Sequence, residues 1–138
     1  MNRDEIIAKW AGMTARERDA WIAEVVFGWE WRAPDGEDVG WYERLNNAPF
    51  YDRVFTGRRR GWSPSTYISA AWAVFELLRK DWLPGIQDCA MFGYRVDLQS
   101  DYEYREDIGG VVAKTAPEAI CLAALIAKLT EVSADVAV

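Results

Sequence analysis

The feature that most constrains the fold is an apolar run near the C-terminal end of the chain. Every side chain from Ala119 to Ala127 is apolar. Thr115 and Glu118, just before it, have capping-box spacing, and Pro117 suits a first helical turn, where its missing N–H has no partner to lose. A helix that has no polar face is usually buried on all sides. The sequence therefore predicts a central helix that begins near Ala116.

Composition excludes several classes of protein. A chain of 138 residues is long enough for one domain, 1–138, with its own core. The formal net charge of -6 repels a polyanion such as DNA. There is no apolar run of the roughly 18 residues that a membrane span needs. We therefore expect a soluble protein that binds neither DNA nor a membrane.

The two cysteines indicate the cellular compartment. Cys89 falls in a predicted strand and Cys121 in the central helix, with no signal peptide ahead of them. This usage suits a reducing cytoplasm. We interpret both as small core residues and expect a cytoplasmic location.

Three helices are predicted ahead of the central one. Asn2 and Thr14 have the spacing of N-caps, and Gly28 is placed to end the second helix. The segment Ser63–Thr66 has the signature of a third helix start. That helix reaches about Lys80, and its predicted buried face comprises Ile68, Ala71, Trp72, Phe75 and Leu78.

The strands are predicted from alternation of apolar and polar residues. They form one small central sheet of three to four strands covered by helices on both faces, an α-β-α sandwich of the α+β class, with α/β left open. Strand pairing stays open between antiparallel and parallel. Residues 130–138 are predicted to fray. The strands comprise Trp29–Arg32, Asp88–Leu98 and Gly110–Lys114, with a fourth near Val39–Arg44 as an option.

Several motifs resemble one family of small phage proteins. They are the opening Ile-Ile-Ala-Lys-Trp-Ala-Gly-Met with Gly28-Trp29, the Ser-Pro-Ser-Thr entry with Ala70-Ala71-Trp72, and Pro-Glu-Ala-Ile-Cys followed by Ala-Ala-Leu. Together they are similar to the phage α-β-α sandwich domain proteins. Tyr67 stands where that family often has Asp, and Leu122 where it often has Arg. The resemblance implies the fold and carries no catalytic signature.

The first candidate site is a basic run at the predicted start of the third helix. Arg58, Arg59, Arg60 and Trp62 lead into Ser65 and Thr66. A helix N-terminus offers unpaired N–H groups to a phosphate, arginine adds bidentate contacts, and an indole can stack on a base. The competing interpretation is that a serine only caps the helix while the arginines are solvated.

The second candidate site is aromatic. Trp29, Trp31 and Trp41 could form the wall of a pocket for a planar ligand, or they could be core residues of a strand. The surrounding loop, 37–63, is long and rich in aromatic residues, and long loops in compact domains often bind something. Whether it forms a pocket wall, an interface or core stays open.

Catalysis and metal binding have few candidates. The chain has no histidine, and two isolated cysteines cannot form a four-ligand zinc site. The acidic segment lacks the spacing of a calcium loop, so we interpret it as a solvated turn; it comprises Asp101, Glu103, Glu106 and Asp107. We therefore predict no catalytic residue, no metal and no cofactor.

These observations lead to one functional hypothesis and two alternatives. The first is a non-enzymatic, phage-encoded sponge that sequesters a small phosphorylated, nucleotide-derived signal of bacterial defence; the sponge activity itself is an analogy with other small phage proteins. The second is a protein-protein interaction module that uses exposed Trp and Arg. The third is a carboxylate-based nucleotide hydrolase. The eight tryptophans also favour a homodimer or higher oligomer, which would cover part of them.

Overall fold

The computed structural model describes residues 1–32, 41–43, 53–55, 63–100 and 106–136. Four α-helices and six β-strands lie within them. The helices are α1 (Arg3–Ala11), α2 (Ala15–Trp21), α3 (Ile68–Leu78) and α4 (Ala116–Val136). The strands are β1 (Glu30–Arg32), β2 (Trp41–Glu43), β3 (Arg53–Phe55), β4 (Trp82–Asp88), β5 (Tyr94–Ser100) and β6 (Ile108–Ala113).

The first two helices begin as their sequence predicts. The Asn2 side chain accepts the N–H of Glu5, and Thr14 forms a full capping box with Glu17. A π-helical segment, Ile22–Val26, continues α2 and ends before Gly28, whose φ of 70° is readily adopted only by glycine. These caps were predictable because each joins residues three positions apart.

The strands form two separate antiparallel sheets, in the orders β1-β2-β3 and β4-β5-β6. The prediction that Trp29–Arg32 joins the central sheet is therefore wrong. The optional strand near Val39–Arg44 exists as β2, but it pairs with β1 and β3. Each of these strands pairs with the next along the chain, the connection that costs least entropy. The question of strand pairing is settled as antiparallel.

The predicted strand Asp88–Leu98 is also corrected, because a hairpin turn interrupts it. Residues 90–92 form one 3-10 turn between β4 and β5. Cys89 donates its N–H to the Gly93 carbonyl at 2.8 Å, and φ is positive at both Ala90 and Gly93. Cys89 thus lies in a turn rather than in a strand. Period-two alternation continues through this turn in the sequence, which is why the pattern missed it.

Helix α3 exposes two residues that were predicted to be buried. Its buried residues are Ala71, Val74, Phe75 and Leu78. Ile68 is 53% exposed and Trp72 is 48% exposed. The predicted face was therefore wrong at these two positions, because α3 carries apolar side chains on more than one side and spacing alone did not identify the side that meets the core.

Helix α4 is the centre of the fold, as predicted. It contacts β5 and β6 on one side and α1, α3 and the π-helical segment elsewhere. Every residue from Ala119 to Ala127 is buried, including Cys121. The Thr115 hydroxyl accepts the N–H of Glu118 at 3.3 Å. The helix runs to Val136, past Thr130, where the sequence predicted fraying.

The α+β class with a three-stranded sheet is confirmed. Val96, Leu98 and Val111 of that sheet join the helical core. Leu83 and Val112 point to the opposite side and are exposed. Among the described residues, helices cover the face of β4–β6 that carries Val96, Leu98 and Val111.

Both outer edges of the β4–β6 sheet are closed to a further strand. In an antiparallel pair of strands, residues bonded to the partner strand alternate with residues whose backbone groups point away from it. Cys89 is bonded to Gly93, so counting back along β4 places the backbone of Pro84 toward the open edge of the sheet. Proline there offers no N–H. At the other edge, Arg3 of α1 donates to the carbonyls of Gly109 and Gly110 at 2.7 and 3.1 Å. Such devices prevent pairing between edges.

Replacing Asp97 by asparagine is expected to remove a pH-dependent part of the stability. The Arg95 guanidinium, and then the N–H of Gly110, hold the pKa of Asp97 below its usual range. A lowered carboxyl pKa stabilises the fold above the unfolded pKa, near 4, and this stability is lost as pH falls through the folded pKa. The side chain is 38% exposed, so solvent screening limits the effect to about 1 kcal/mol at pH 7.

The measurement is urea denaturation of both proteins at pH 7 and at steps below pH 5. The difference in unfolding free energy should shrink toward zero in acid. A difference that stays constant across this range would mean that the ionised carboxylate is not the stabilising group.

Candidate functional site

The turn at residues 63–66, which precedes α3, is held by a buried carboxylate. Asp19, in the last turn of α2, is buried. Its Oδ2 accepts the hydroxyl of Ser63 at 2.6 Å, and its Oδ1 accepts the N–H of Ser65 at 2.9 Å. Both carboxylate oxygens are thus occupied by one short segment, as burial of a charged group requires. The turn is anchored immediately after the arginine run.

This arrangement corrects the predicted start of α3. The sequence placed the helix start at Ser63–Thr66, whereas the helix begins at Ile68, with Tyr67 as its N-cap. Tyr67 makes no side-chain capping bond. The Ser63 hydroxyl, which could have capped the helix, donates to Asp19 instead. Ser65 is buried, and its hydroxyl makes a 3.4 Å bond to the Ala15 carbonyl.

A second polar group lies beside the turn, where α2 meets α4. Arg18 forms an ion pair with Glu118 at 3.0 Å, donates to the Trp10 carbonyl and lies over the Trp10 ring at 4.6 Å. Burial raises the pKa of the Cys121 thiol well above its ordinary range, and the charges of Asp19 and Glu118 raise it further. A thiol held protonated in this way is a poor nucleophile. We therefore interpret the contacts of Arg18 and the buried Cys121 as structural.

The comparison with known families gives a match over most of the chain. A family model, the Phage ABA sandwich domain, matches residues 20–125. The chain belongs to the phage ABA sandwich domain family. The family name agrees with the predicted α-β-α class, and the suspected resemblance is confirmed. No curated protein and no solved structure matches the chain.

Within this phage ABA sandwich domain, the two departures from the resembled pattern have structural consequences. Tyr67 stands at the N-cap of α3, where an Asp could have accepted a first-turn N–H. The start of α3 is therefore left without a side-chain cap. Leu122 is buried in the core around α4, a position where an Arg would need a buried partner.

The residues of the phosphate-site prediction fall into two groups. Ser65 and Thr66 lie next to each other in the turn before α3, with Ser65 buried and Thr66 exposed. Arg58, Arg59, Arg60 and Trp62 lie outside the described residues. The prediction for these four residues stays open, and the structure shows only that the chain emerges from them at the anchored turn.

The residues of the aromatic prediction comprise one buried tryptophan and two residues of the first sheet. Trp29 is buried with Ala23, and its ring stacks on Phe27 with centroids 4.7 Å apart. In the first sheet, Trp31 is opposite Tyr42 and Trp41 is opposite Arg32. The prediction for the side chains of Trp31 and Trp41 stays open. Trp29 has the core location that was the competing interpretation.

Asp19 was not among the predicted site residues, although the sequence contains a signal for it. Asp19, Ile22, Ala23 and Val26 have the spacing of one helical stripe, and all four are buried. A carboxylate within an apolar stripe indicates a buried hydrogen-bonding partner. The partner could not be identified from the sequence, because Ser63 is 44 positions away.

Other parts of the described structure are weaker candidates for a ligand or metal site. A small cleft of about 10 Å³ is lined mainly by apolar side chains of α3, β4 and α4, including Leu77, Trp82 and Ala127. It has room for about one water molecule, whereas ligand pockets usually measure about 300–1,000 Å³. Within residues 1–32, 63–100 and 106–130, no three potential metal ligands cluster. None of the helices there is long and apolar enough to cross a membrane.

Proposed function

We propose that this phage ABA sandwich domain is a non-enzymatic protein that binds a small phosphorylated, nucleotide-derived ligand in the host cytoplasm. By withholding such a defence signal from its effector, the protein would act as a sponge. The observation that supports this proposal is the uncapped start of α3 directly after the anchored turn and the basic run. Unpaired N–H groups at a helix start attract an anion, and arginines add charge-assisted bonds.

The anchored turn also supports the proposal. Because Asp19 fixes Ser63 and Ser65, the segment that follows Trp62 has a defined position relative to α3. A preorganised site loses less conformational entropy when it binds. The net charge of -6 favours a small anion, held locally by three adjacent arginines, over a polyanion that would meet the whole acidic surface.

Binding without turnover is the preferred form of this proposal. The chain has no histidine to serve as a general base near neutral pH. The Cys121 thiol is buried and protonated. A carboxylate-based hydrolase is the remaining enzymatic alternative, and recovery of the ligand distinguishes it. A sponge returns its ligand unchanged after denaturation, whereas a hydrolase returns products.

A thermal-shift screen against cyclic dinucleotides and ADP-ribose derivatives tests the proposal. A ligand at a hundred times its dissociation constant adds about 2.7 kcal/mol to the stability of the folded protein. The expected result is a shift with one ligand class, and chromatography of the released ligand should show it intact. If no compound shifts the unfolding temperature, the sponge proposal is wrong.

Charge reversal at the basic run is expected to weaken binding at least tenfold, about 1.4 kcal/mol. Arg58, Arg59 and Arg60 are each changed to Glu, because consecutive side chains in an extended segment cannot all point to one side. Each change removes charge-assisted bonds and adds repulsion. Isothermal titration with the ligand from the screen measures the affinity. Lys80→Glu, at the other end of α3, is the matched control and should bind normally.

The outcome that contradicts the site is equally clear. If all three reversals bind like the Lys80→Glu control, the ligand does not use the basic run. A ligand that raises the unfolding temperature would then bind at another surface of the protein.

A second candidate function, a protein-protein interaction module, is favoured by the β4–β5 hairpin. Met91 and Phe92 at its tip are strongly exposed. The tip is held by hydrogen bonds from Ala90 to Asp88, from Phe92 to Cys89 and from Gly93 to Ala90. A rigid pair of apolar side chains is suited to a pocket on another protein. We adopt this function if the nucleotide screen gives no shift.

A further inference from the structure

Helix α3 is apolar on its exposed side as well as on its buried side. Its sequence, ISAAWAVFELL, contains one charged residue, Glu76. Ala71, Val74, Phe75 and Leu78 meet the core, whereas Ile68, Ser69, Trp72 and Ala73 face solvent. A helix that is apolar all round is normally covered all round. The exposed side of α3 therefore has the composition of a contact surface.

The indole of Trp72 is held in place although half of the side chain is exposed. Its ring stacks on that of Phe75, with centroids 4.7 Å apart and 12° between the planes. Phe75 is itself buried. A fixed tryptophan loses little side-chain entropy when a partner covers it, and tryptophan is enriched at binding hot spots.

We propose that a second copy of this chain covers this side of α3, with the two α3 helices crossing about a two-fold axis. The surface is self-complementary, because large and small side chains alternate along it. In an isologous contact, Ile68 and Trp72 of each copy pack against Ser69 and Ala73 of the other. Small residues at the crossing allow the helix axes to approach closely.

The charge distribution favours a second copy as the partner. The chain carries 22 acidic and 16 basic residues, so two copies repel each other over most of their surface. Residues 63–75 contain no charged side chain. The α3 surface is therefore a place where two identical acidic chains can meet without placing like charges together. The core of protein interfaces is similarly depleted of charge.

The rest of the structure is compatible with this contact. Pro84 and Arg3 close the edges of the β4–β6 sheet, so the copies meet through side chains rather than by strand pairing. The contact includes Ile68 and Ser69 in the first turn of α3, next to the proposed ligand site, but the inference does not rest on a bound ligand, because dimerisation is measured without one. One helix face is smaller than a standard interface of about 800 Å² per partner. We therefore expect a weak dimer that depends on concentration.

Sedimentation velocity of the full chain tests the inference. The protein concentration is varied from about 1 to 500 µM, a range that covers the dissociation constants of weak dimers. The native protein should pass from monomer to dimer, and Ala73→Glu should raise the dissociation constant at least tenfold. Ala73 is exposed, so the change removes no core contact. Met91→Glu is the matched control, since it adds the same charge at a side chain that is 89% exposed elsewhere. This control should dimerise normally.

A charge exchange separates a specific contact from a general effect of the mutation. Ala73→Lys alone should also be monomeric, whereas a mixture of Ala73→Glu and Ala73→Lys should recover a heterodimer. Circular dichroism confirms that both variants are folded. A monomeric native chain at every concentration overturns the proposal, as does a dimer that Ala73→Glu leaves intact. A dimer that Met91→Glu dissociates would place the contact at the hairpin and would also overturn it.

Discussion

Replacing Gly93 by alanine is expected to lower the free energy of unfolding by about 3 kcal/mol or more, as strain and a steric clash act together. The added Cβ would lie 2.1 Å from the carbonyl oxygen of Ala113, a backbone atom that no rotamer change can move aside. The φ of Gly93 is 98°, a conformation that side chains rarely adopt. The hairpin would have to separate from β6, which pairs with β5 at Ala113.

Two other glycines separate the two causes. Gly28 has a φ of 70° but nothing within 4 Å of an added Cβ, so Gly28→Ala should cost only the strain, about 1–2 kcal/mol. Gly85 has neither a positive φ nor a close neighbour, so Gly85→Ala should be nearly neutral or slightly stabilising. Urea denaturation of the three variants measures the series. An equal loss for Gly93→Ala and Gly28→Ala would show that the contact with Ala113 is relieved without cost.

Replacing Asp19 by alanine is the second large effect, with an expected loss of about 3 kcal/mol. The change leaves the buried N–H of Ser65 without its acceptor and frees the Ser63 hydroxyl. Unfolding of the purified variant in urea gives the loss directly. Because the turn positions the start of α3, the variant should also bind weakly any ligand that the arginine run recognises.

Ser65→Ala is the matched control for Asp19→Ala. It keeps the backbone N–H bound to Asp19 and loses only the 3.4 Å bond from its hydroxyl to Ala15. The expected loss is below about 1 kcal/mol, because that bond is long. If the two variants lose the same stability, the anchoring of the turn by the carboxylate is not the main interaction. Asp19→Asn should lose an intermediate amount of stability, since its one amide oxygen cannot replace both carboxylate oxygens that bind Ser63 and Ser65.

The predictable parts of this fold are those set by neighbours in the sequence or by an unbroken pattern. The caps at Asn2 and Thr14 join residues three positions apart, and the apolar run of α4 has no alternative to burial. The start of α3 was not predictable in the same way. It depends on Asp19, which lies 46 positions from Ser65, and this long-range bond overrides a local helix-start signal.

The candidate site was predicted only in part for the same reason. The sequence identified the segment before α3 but assigned Ser65 to a cap or a ligand, whereas the structure uses it to fix the turn. It counted Ile68 and Trp72 as core, because spacing shows that a helix is apolar without showing which side meets its own chain. The division of the strands into two sheets was not predictable either, because alternation identifies strands without showing which of them pair.

The contact between Arg3 and β6 has a consequence for how the chain folds. Arg3 and Gly109 are separated by 106 positions, and Ile6 and Trp10 of the same helix enter the core around α4. Although α1 is synthesised before α3, β6 and α4, it cannot complete its contacts until β6 and α4 are available. Contacts of such long range slow folding, because the intervening loop must close before they form. We therefore expect docking of α1 to be a late step, after α3 and α4 have packed on the hairpins.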